Sequence, residues 1–181
     1  ESINLGNLGN AYTELGEARN AIELHEQALV IAREIGDRSG EGSELGNLGN
    51  AYKALGDARK AIEFYDEQLT IVRELSERRR EGNTLGNIGF AFATVGDVQK
   101  AIDFYERALE ITRECSDRQG TGNILGNIGN AYFSLGDNTK AISFHQQALA
   151  VTREIGDRRR EGAALGNLGN SYFKEGNTSD A

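Results

Sequence analysis

The string LGNLGNAY begins at Leu5 and again at Leu45, and it returns as LGNIGFAF at Leu85, LGNIGNAY at Leu125 and LGNLGNSY at Leu165. The interval is 40 residues every time, with no insertion or deletion. A second string keeps step with it (EARNAIELHEQAL, DARKAIEFYDEQL, DVQKAIDFYERAL, DNTKAISFHQQAL), and a third closes each unit (REIGDRSGEG, RELSERRREG, RECSDRQGTG, REIGDRRREG). A fixed period of this size is the mark of stacked supersecondary units. The chain reads as a single array, 1–181, with four full units at about 2–41, 42–81, 82–121 and 122–161 and a partial fifth at 162–181.

Each unit carries two helices. In the second, Leu45, Leu48, Tyr52 and Leu55 form one stripe at helical spacing, and Ala61, Ile62, Tyr65, Leu69 and Val72 form another. Gly56-Asp57 separates them. The first helix of a unit should run over 37–54 and the second over 58–74. Gly36 and Gly156 suit the left-handed residue that ends a helix, and Asp37, Asp117 and Asp157 then suit N-caps; in the second unit Ser76 takes the capping role. One hairpin cannot bury its own apolar faces, so neighbours must stack. Small residues at Gly9, Ala11, Gly49, Ala51 and Ala61 let backbones approach closely. Gly inside a helix costs about 1 kcal/mol relative to Ala. The recurring Gly46 and Gly49 must therefore be offset by packing or by function.

Composition supports a helical array. There are 23 Gly and no Pro, which a loop-rich domain would not combine. The net charge of -8 argues against nucleic acid, whose binding rests on a basic face. A single Cys permits no intrachain disulfide and points to a reducing, cytoplasmic setting. No apolar run approaches the roughly 20 residues of a membrane span. The chain opens at Glu1 without Met or leader, and reads as a piece of something longer.

NLGNAY, then Gly-Asp, then KAIEFYDEQL resembles the tetratricopeptide repeat across nearly the whole chain, because Leu48, Gly49, Tyr52, Ala61 and Tyr65 hold that family's spacing in repeated copies. Two departures stand out: Leu45 replaces the aromatic residue that often opens the motif, and the usual closing Pro is absent, so the unit is 40 residues rather than the common ~34. The long variant resembles the repeats of the Pins/LGN group of polarity adaptors and arrays in many bacterial signalling proteins. The resemblance implies an all-α fold, a right-handed superhelical solenoid of antiparallel helix hairpins. It also implies a concave wall, lined by first helices, that holds a peptide.

At about 100° per residue, Asn47 and Asn50 fall opposite Leu48 and Tyr52. Their counterparts are Asn7 and Asn10, Asn87, Asn127 and Asn130, and Asn167 and Asn170, with Ser43, Asn83 and Asn123 one turn earlier. Asn is a poor helix-interior residue but donates and accepts at once, which suits a peptide backbone. Two readings of this ladder are open: contact with a ligand, or bonding between adjacent first helices. Phe90 breaks it, either as an apolar anchor for a ligand or as packing on a neighbouring helix. Arg79-Arg80 and Arg159-Arg160 replace Ser39-Gly40 and Gln119-Gly120 at the edge of the same face. They suit acidic side chains, or are solvated residues at a helix start. Arg38, Arg78, Arg118 and Arg158 point nearer the hairpin seam, as partners for Glu. The carboxylate clamp that some family members use on chaperones needs Lys where this chain has Gly6, Gly46 and Gly86.

Catalysis is not expected. His25 and His145 take the slot of Tyr65 and Tyr105, Cys115 aligns with Ile35, Leu75 and Ile155 as a buried apolar thiol, and no cluster has metal-ligand spacing. The Gly-rich strings lack the Lys-Ser/Thr of a P-loop. No cofactor or metal is implied. The expected function is a protein-interaction scaffold that grips a peptide with acidic side chains. The alternatives are a sensor array in a larger signalling protein and a self-associating module. For the last, Ala181 sits where Ala61 opens a second helix, so Leu165, Leu168 and Tyr172 lack a hairpin partner, and 162–181 should fray or stack end to end with another copy.

Overall fold

A computed structural model describes residues 2–179. Among these the backbone forms only α-helices, grouped into two compact units. The unit ending at Gly96 holds α1 (Ser2–Glu14), α2 (Ala18–Glu34), α3 (Arg38–Leu55), α4 (Ala58–Glu74) and α5 (Arg78–Thr94). The unit beginning at Asp97 holds α6 (Val98–Glu114), α7 (Arg118–Ser134), α8 (Asn138–Glu154) and α9 (Arg158–Ser179). Within each unit every helix packs against the one before and the one after it.

The joints explain the tight alternation. Gly36 takes φ 72°, its N–H reaches Arg33 O, and the Asp37 N–H reaches Ala32 O, so the last carbonyls of α2 are satisfied before the chain turns. Asp37 then accepts from the Gly40 N–H at 2.9 Å and starts α3. Asp57, Asp97, Asp117, Asp137 and Asp157 cap their helices in the same way. Ser76 is not a cap. It and Ser116 occupy the left-handed position at φ 57° and 53°, where other units use Gly, and the cap residue of α5 is Glu77, whose side chain makes no capping bond to a backbone N–H of the helix.

The core follows the two stripes. Leu45, Leu48, Ala51, Ala61, Tyr65 and Val72 are sealed from solvent, and each buried Leu contributes about 1.5–3 kcal/mol. A Cβ on Gly49 would stand 2.6 Å from Tyr65 Cδ1, so this glycine is what lets the Tyr65 ring lie against the α3 backbone. His25 and His145 fill the same slot in their units, fully buried, with Gly9 and Gly129 beneath the rings. Leu55 lies off the stripe, half exposed beside the joint, and Cys115 is half-buried rather than buried because its column is the C-cap, at the rim of the stack.

Ion pairs staple successive hairpins. Glu81, nearly buried, accepts from Arg73 Nε and Arg78 Nη1 at 2.8 Å each, and Glu41 is held by Arg33 and Arg38 at 2.8 and 2.6 Å. Glu161 repeats the arrangement with Arg153 and Arg158 at 2.9 and 3.1 Å. At the remaining joint Thr121 replaces the Glu and bonds Thr112 at 3.2 Å, while Arg118 turns to Glu154 at 2.7 Å. Gly176 does not turn as its counterparts do, and α9 runs past it to Ser179. Ala181, the expected start of a further helix, lies outside the described residues.

Candidate functional site

In the first unit a trough of about 260 Å³ lies between α3 and α5, with α4 beneath. One wall is Ser43, Asn47 and Asn50 from α3, and the other is Arg80, Asn83 and Asn87 from α5. The i, i+3, i+4 and i+7 spacing places each set along one face of its helix. The floor is Gly46, Gln68 and Thr84. Gln68, buried, donates Nε2–H to Gly42 O at 3.0 Å and accepts from Thr84 Oγ1 at 3.0 Å, so the floor is polar but already satisfied.

The walls retain open hydrogen-bonding capacity. Among the described residues no hydrogen bond joins one ladder Asn to another. Asn50 is committed internally: its Oδ1 accepts from the Tyr65 hydroxyl at 2.8 Å and from Lys53 Nζ at 3.1 Å. Burial pushes the Tyr65 hydroxyl up, which keeps it a donor. Asn47 makes one long bond, 3.4 Å, to Glu44. Asn83 is exposed and Asn87 half-buried, facing the trough. Arg80 gives Nη1–H to Glu77 at 2.5 Å and Nη2–H to Ser43 Oγ at 3.2 Å. Those two bonds hold a five-donor guanidinium at one end of the trough and leave donors over. Outside the trough's lining, one helical turn past Asn87, Phe90 is 45% exposed and lies beneath Lys53, whose Nζ is 5.7 Å from the ring centroid.

The second unit has a smaller counterpart of about 130 Å³ between α7 and α9, lined by Asn123, Asn127, Asn130, Asn167 and Arg160, with Ala148 and Ala164 where the first unit has Gln68 and Thr84. Arg160 pairs with Asp157, and its guanidinium lies 3.0 Å from the Gln119 carboxamide, which accepts from it when the amide is oriented oxygen-first. His145 borders this pocket, and burial holds its imidazole below the ordinary value.

The remaining sequence-derived candidates lie outside both pockets. Asn7 and Asn10 are exposed on α1, Asn170 is exposed on α9, and Arg79 and Arg159 are exposed at the starts of α5 and α9. Lys53, Gln68 and Thr84 went unnoticed in the sequence, although each departs from its column: Thr13 and Ala93 stand where Lys53 does, Ala28, Ala108 and Ala148 where Gln68 does, and Ile124 and Ala164 where Thr84 does. A buried pair was also missed. His25 Nδ1 lies 2.7 Å from Glu44 Oε2, tying α2 to α3. Among the described residues no group of three or more His, Cys, Asp or Glu is placed to hold a metal ion, and no helix is long and apolar enough to cross a membrane.

The family model described as tetratricopeptide repeat matches residues 43–114 and 120–181, and a second model of the same description matches 5–39. No curated protein sequence matches. Among solved structures the chain is similar to BtubC (BKLC) from P. vanneervenii, with a TM-score of 0.84 and 24% identity over 95% of this chain and 72% of that one. It is also similar to a signal transduction ATPase with numerous domains, with a tetratricopeptide repeat sensor, from Pyrococcus horikoshii, at TM-score 0.86 and 21% identity over 93% of this chain and 26% of that one. A third is a Rap protein complexed with competence and sporulation factor, at TM-score 0.80 and 20% identity over 98% of this chain and 50% of that one. The chain thus spans about a quarter of the second protein and half of the third. At these identities the likeness is one of fold.

Proposed function

We propose that this chain, which belongs to the tetratricopeptide repeat family, is a protein-interaction scaffold that grips an extended segment with acidic side chains in the grooves between its first helices. The fold generally mediates protein–protein interaction. The observation that carries the finer reading is the trough of the first unit, where Arg80 is set at one end of two rows of carboxamides. Arg80 offers a charge-assisted contact to a carboxylate, and Asn47, Asn83 and Asn87 offer paired donors and acceptors to a peptide backbone. The Rap neighbour is complexed with a factor and the ATPase neighbour's repeats are described as a sensor, which fits a groove used for recognition.

Titration of the chain with labelled acidic peptides, followed by fluorescence anisotropy, tests the reading. Micromolar binding should weaken about 10-fold in Arg80→Gln, the loss of one charged hydrogen bond of about 1.4 kcal/mol. If no peptide binds more tightly than millimolar, and Asn47→Ala changes stability alone, the groove has no such role. A second reading is self-association through α9, favoured by Leu165 and Tyr172, which are 45% and 48% exposed. Light scattering over a concentration series, which should give a rising mass in that case, separates the two.

A further inference from the structure

The unit's own repetition shows which residues of the trough depart from the pattern. In the column of Phe90 every other unit has Asn: Asn10, Asn50, Asn130 and Asn170. In the column of Lys53 no other unit has a cation: Thr13, Ala93, Phe133 and Phe173. The column of Arg80 holds Gly40 and Gly120 in alternate units. Arg80 lines the trough, and Lys53 and Phe90 meet one helical turn beyond its Asn50 and Asn87. Arg80 reaches across to Ser43 at one end, and Lys53 reaches across to Phe90 at the other.

Resting on the groove reading above, we infer that Lys53 is a second cationic anchor, and that the first unit recognises an extended segment carrying two carboxylates, one for Arg80 and one for Lys53. The spacing follows from helix geometry. Arg80 and Phe90 are ten residues apart on α5, as Ser43 and Lys53 are on α3, which at about 1.5 Å per residue is ~15 Å. An extended chain rises about 3.3 Å per residue, so the two acidic residues should stand roughly 4–5 positions apart. The carboxamides of Asn47 and Asn87 lie between the two ends and face the intervening backbone.

The setting of Lys53 fits an anchor that waits for a carboxylate. Its ammonium is half-buried and makes a neutral hydrogen bond to Asn50 Oδ1 at 3.1 Å. Among the described residues no carboxylate pairs with it, whereas Arg80 already has Glu77. Burial holds Lys53 below its ordinary value, so a ligand carboxylate there would restore lost stabilisation of the charge. The Phe90 ring shields that contact from water and adds a cation–π attraction.

The test is anisotropy titration of the full chain with labelled Gly/Ser peptides carrying one Glu, or two Glu about two, five or ten positions apart. The peptide with the intermediate spacing should bind about 10-fold tighter than the single-Glu peptide. In Lys53→Gln, which keeps a donor for Asn50, that gain should vanish. Phe90→Asn, which restores the residue of the other units, should reduce it. Circular-dichroism melts establish that both variants are folded. If single-Glu peptides bind through Arg80 but spacing makes no difference, or if Lys53→Gln weakens every peptide alike, the two-anchor inference is wrong and the groove reading stands. If no peptide binds, both fall.

Discussion

Gly46 and Gly126 occupy the same column of the repeat, yet replacing each with Ala should shift stability in opposite directions. Gly in a helix interior costs about 1 kcal/mol relative to Ala, through backbone entropy, and both substitutions recover that amount. At Gly126 a Cβ meets nothing within 4 Å, because Ala148 stands opposite. Gly126→Ala should therefore stabilise by about 1 kcal/mol, or roughly 2–4 °C in Tm. At Gly46 the Cβ would stand 2.8 Å from Gln68 Cδ. Gln68 is a flexible side chain, but it is buried and bonded to Gly42 O and Thr84 Oγ1, so moving it forfeits two hydrogen bonds of about 1 kcal/mol each on top of any overpacking strain. The net is a destabilisation of about 1–3 kcal/mol. Chemical denaturation of Gly46→Ala, Gln68→Ala and the double variant completes a cycle. With Ala at position 68, as in the other units, Gly46→Ala should become stabilising, giving a coupling of about 2–4 kcal/mol. Equal destabilisation in both backgrounds would refute Gln68 as the obstacle, and a destabilising Gly126→Ala would refute the steric reading of the whole column.

Ser116→Gly should stabilise by about 1 kcal/mol in thermal melts, since Ser116 is held at φ 53° where a Cβ is strained and every other joint except that of Ser76 uses Gly. Glu81→Gln should destabilise by about 1–2 kcal/mol at neutral pH, the bridging Arg73 and Arg78 being half exposed, and a urea series measures it. Burial pushes the Glu81 carboxyl up, but the hydrogen bonds from Arg73 and Arg78 outweigh this and hold it below the ordinary carboxylate value, as they do for Glu41 with Arg33 and Arg38. The unfolded chain therefore binds these protons more readily, and the associated stability is present above the ordinary value and lost as pH falls through the lowered one; Glu81→Gln should flatten that acid limb of the Tm–pH curve. Asn50→Ala should cost about 1–2 kcal/mol by leaving the buried Tyr65 hydroxyl without its acceptor, whereas Asn87→Ala should leave the melt unchanged and weaken peptide binding.

The stack was legible because the 40-residue period averages out local ambiguity. Periodicity predicts helices over 37–54 and 58–74, and the structure has Arg38–Leu55 and Ala58–Glu74. Errors arose where a residue was read by its type and not by its column. Ser76 has the chemistry of an N-cap, but it aligns with Gly36 and must take the left-handed turn that the joint imposes. Cys115 has the chemistry of a core residue, but its column ends the helix, and Ile35 in the same column is 68% exposed.

The groove was legible to a different degree, and for the opposite reason. The Asn columns repeat, so a face could be drawn through them, but a column that repeats everywhere is also what inter-repeat packing demands. Asn50 shows the overlap, since it lines the trough and also satisfies Tyr65. The residues that give the first trough its own character are those where the repeat fails: Lys53, Gln68, Thr84 and Phe90. Reading for consensus discards them. Only three-dimensional proximity shows that Gln68 and Thr84 floor one trough while Lys53 and Phe90 meet one helical turn beyond its Asn50 and Asn87. In an array this regular, the repeated columns supply the shared faces that let hairpins stack, while discrimination between ligands requires one trough to differ from the next. Gln68 and Thr84 against Ala148 and Ala164 set floors of different polarity, and the cation–ring pair beside each trough is reversed: Lys53 of α3 over Phe90 of α5 in the first unit, Lys174 of α9 over Phe133 of α7 in the second. Under the proposed groove function, each trough should accordingly prefer different ligand side chains.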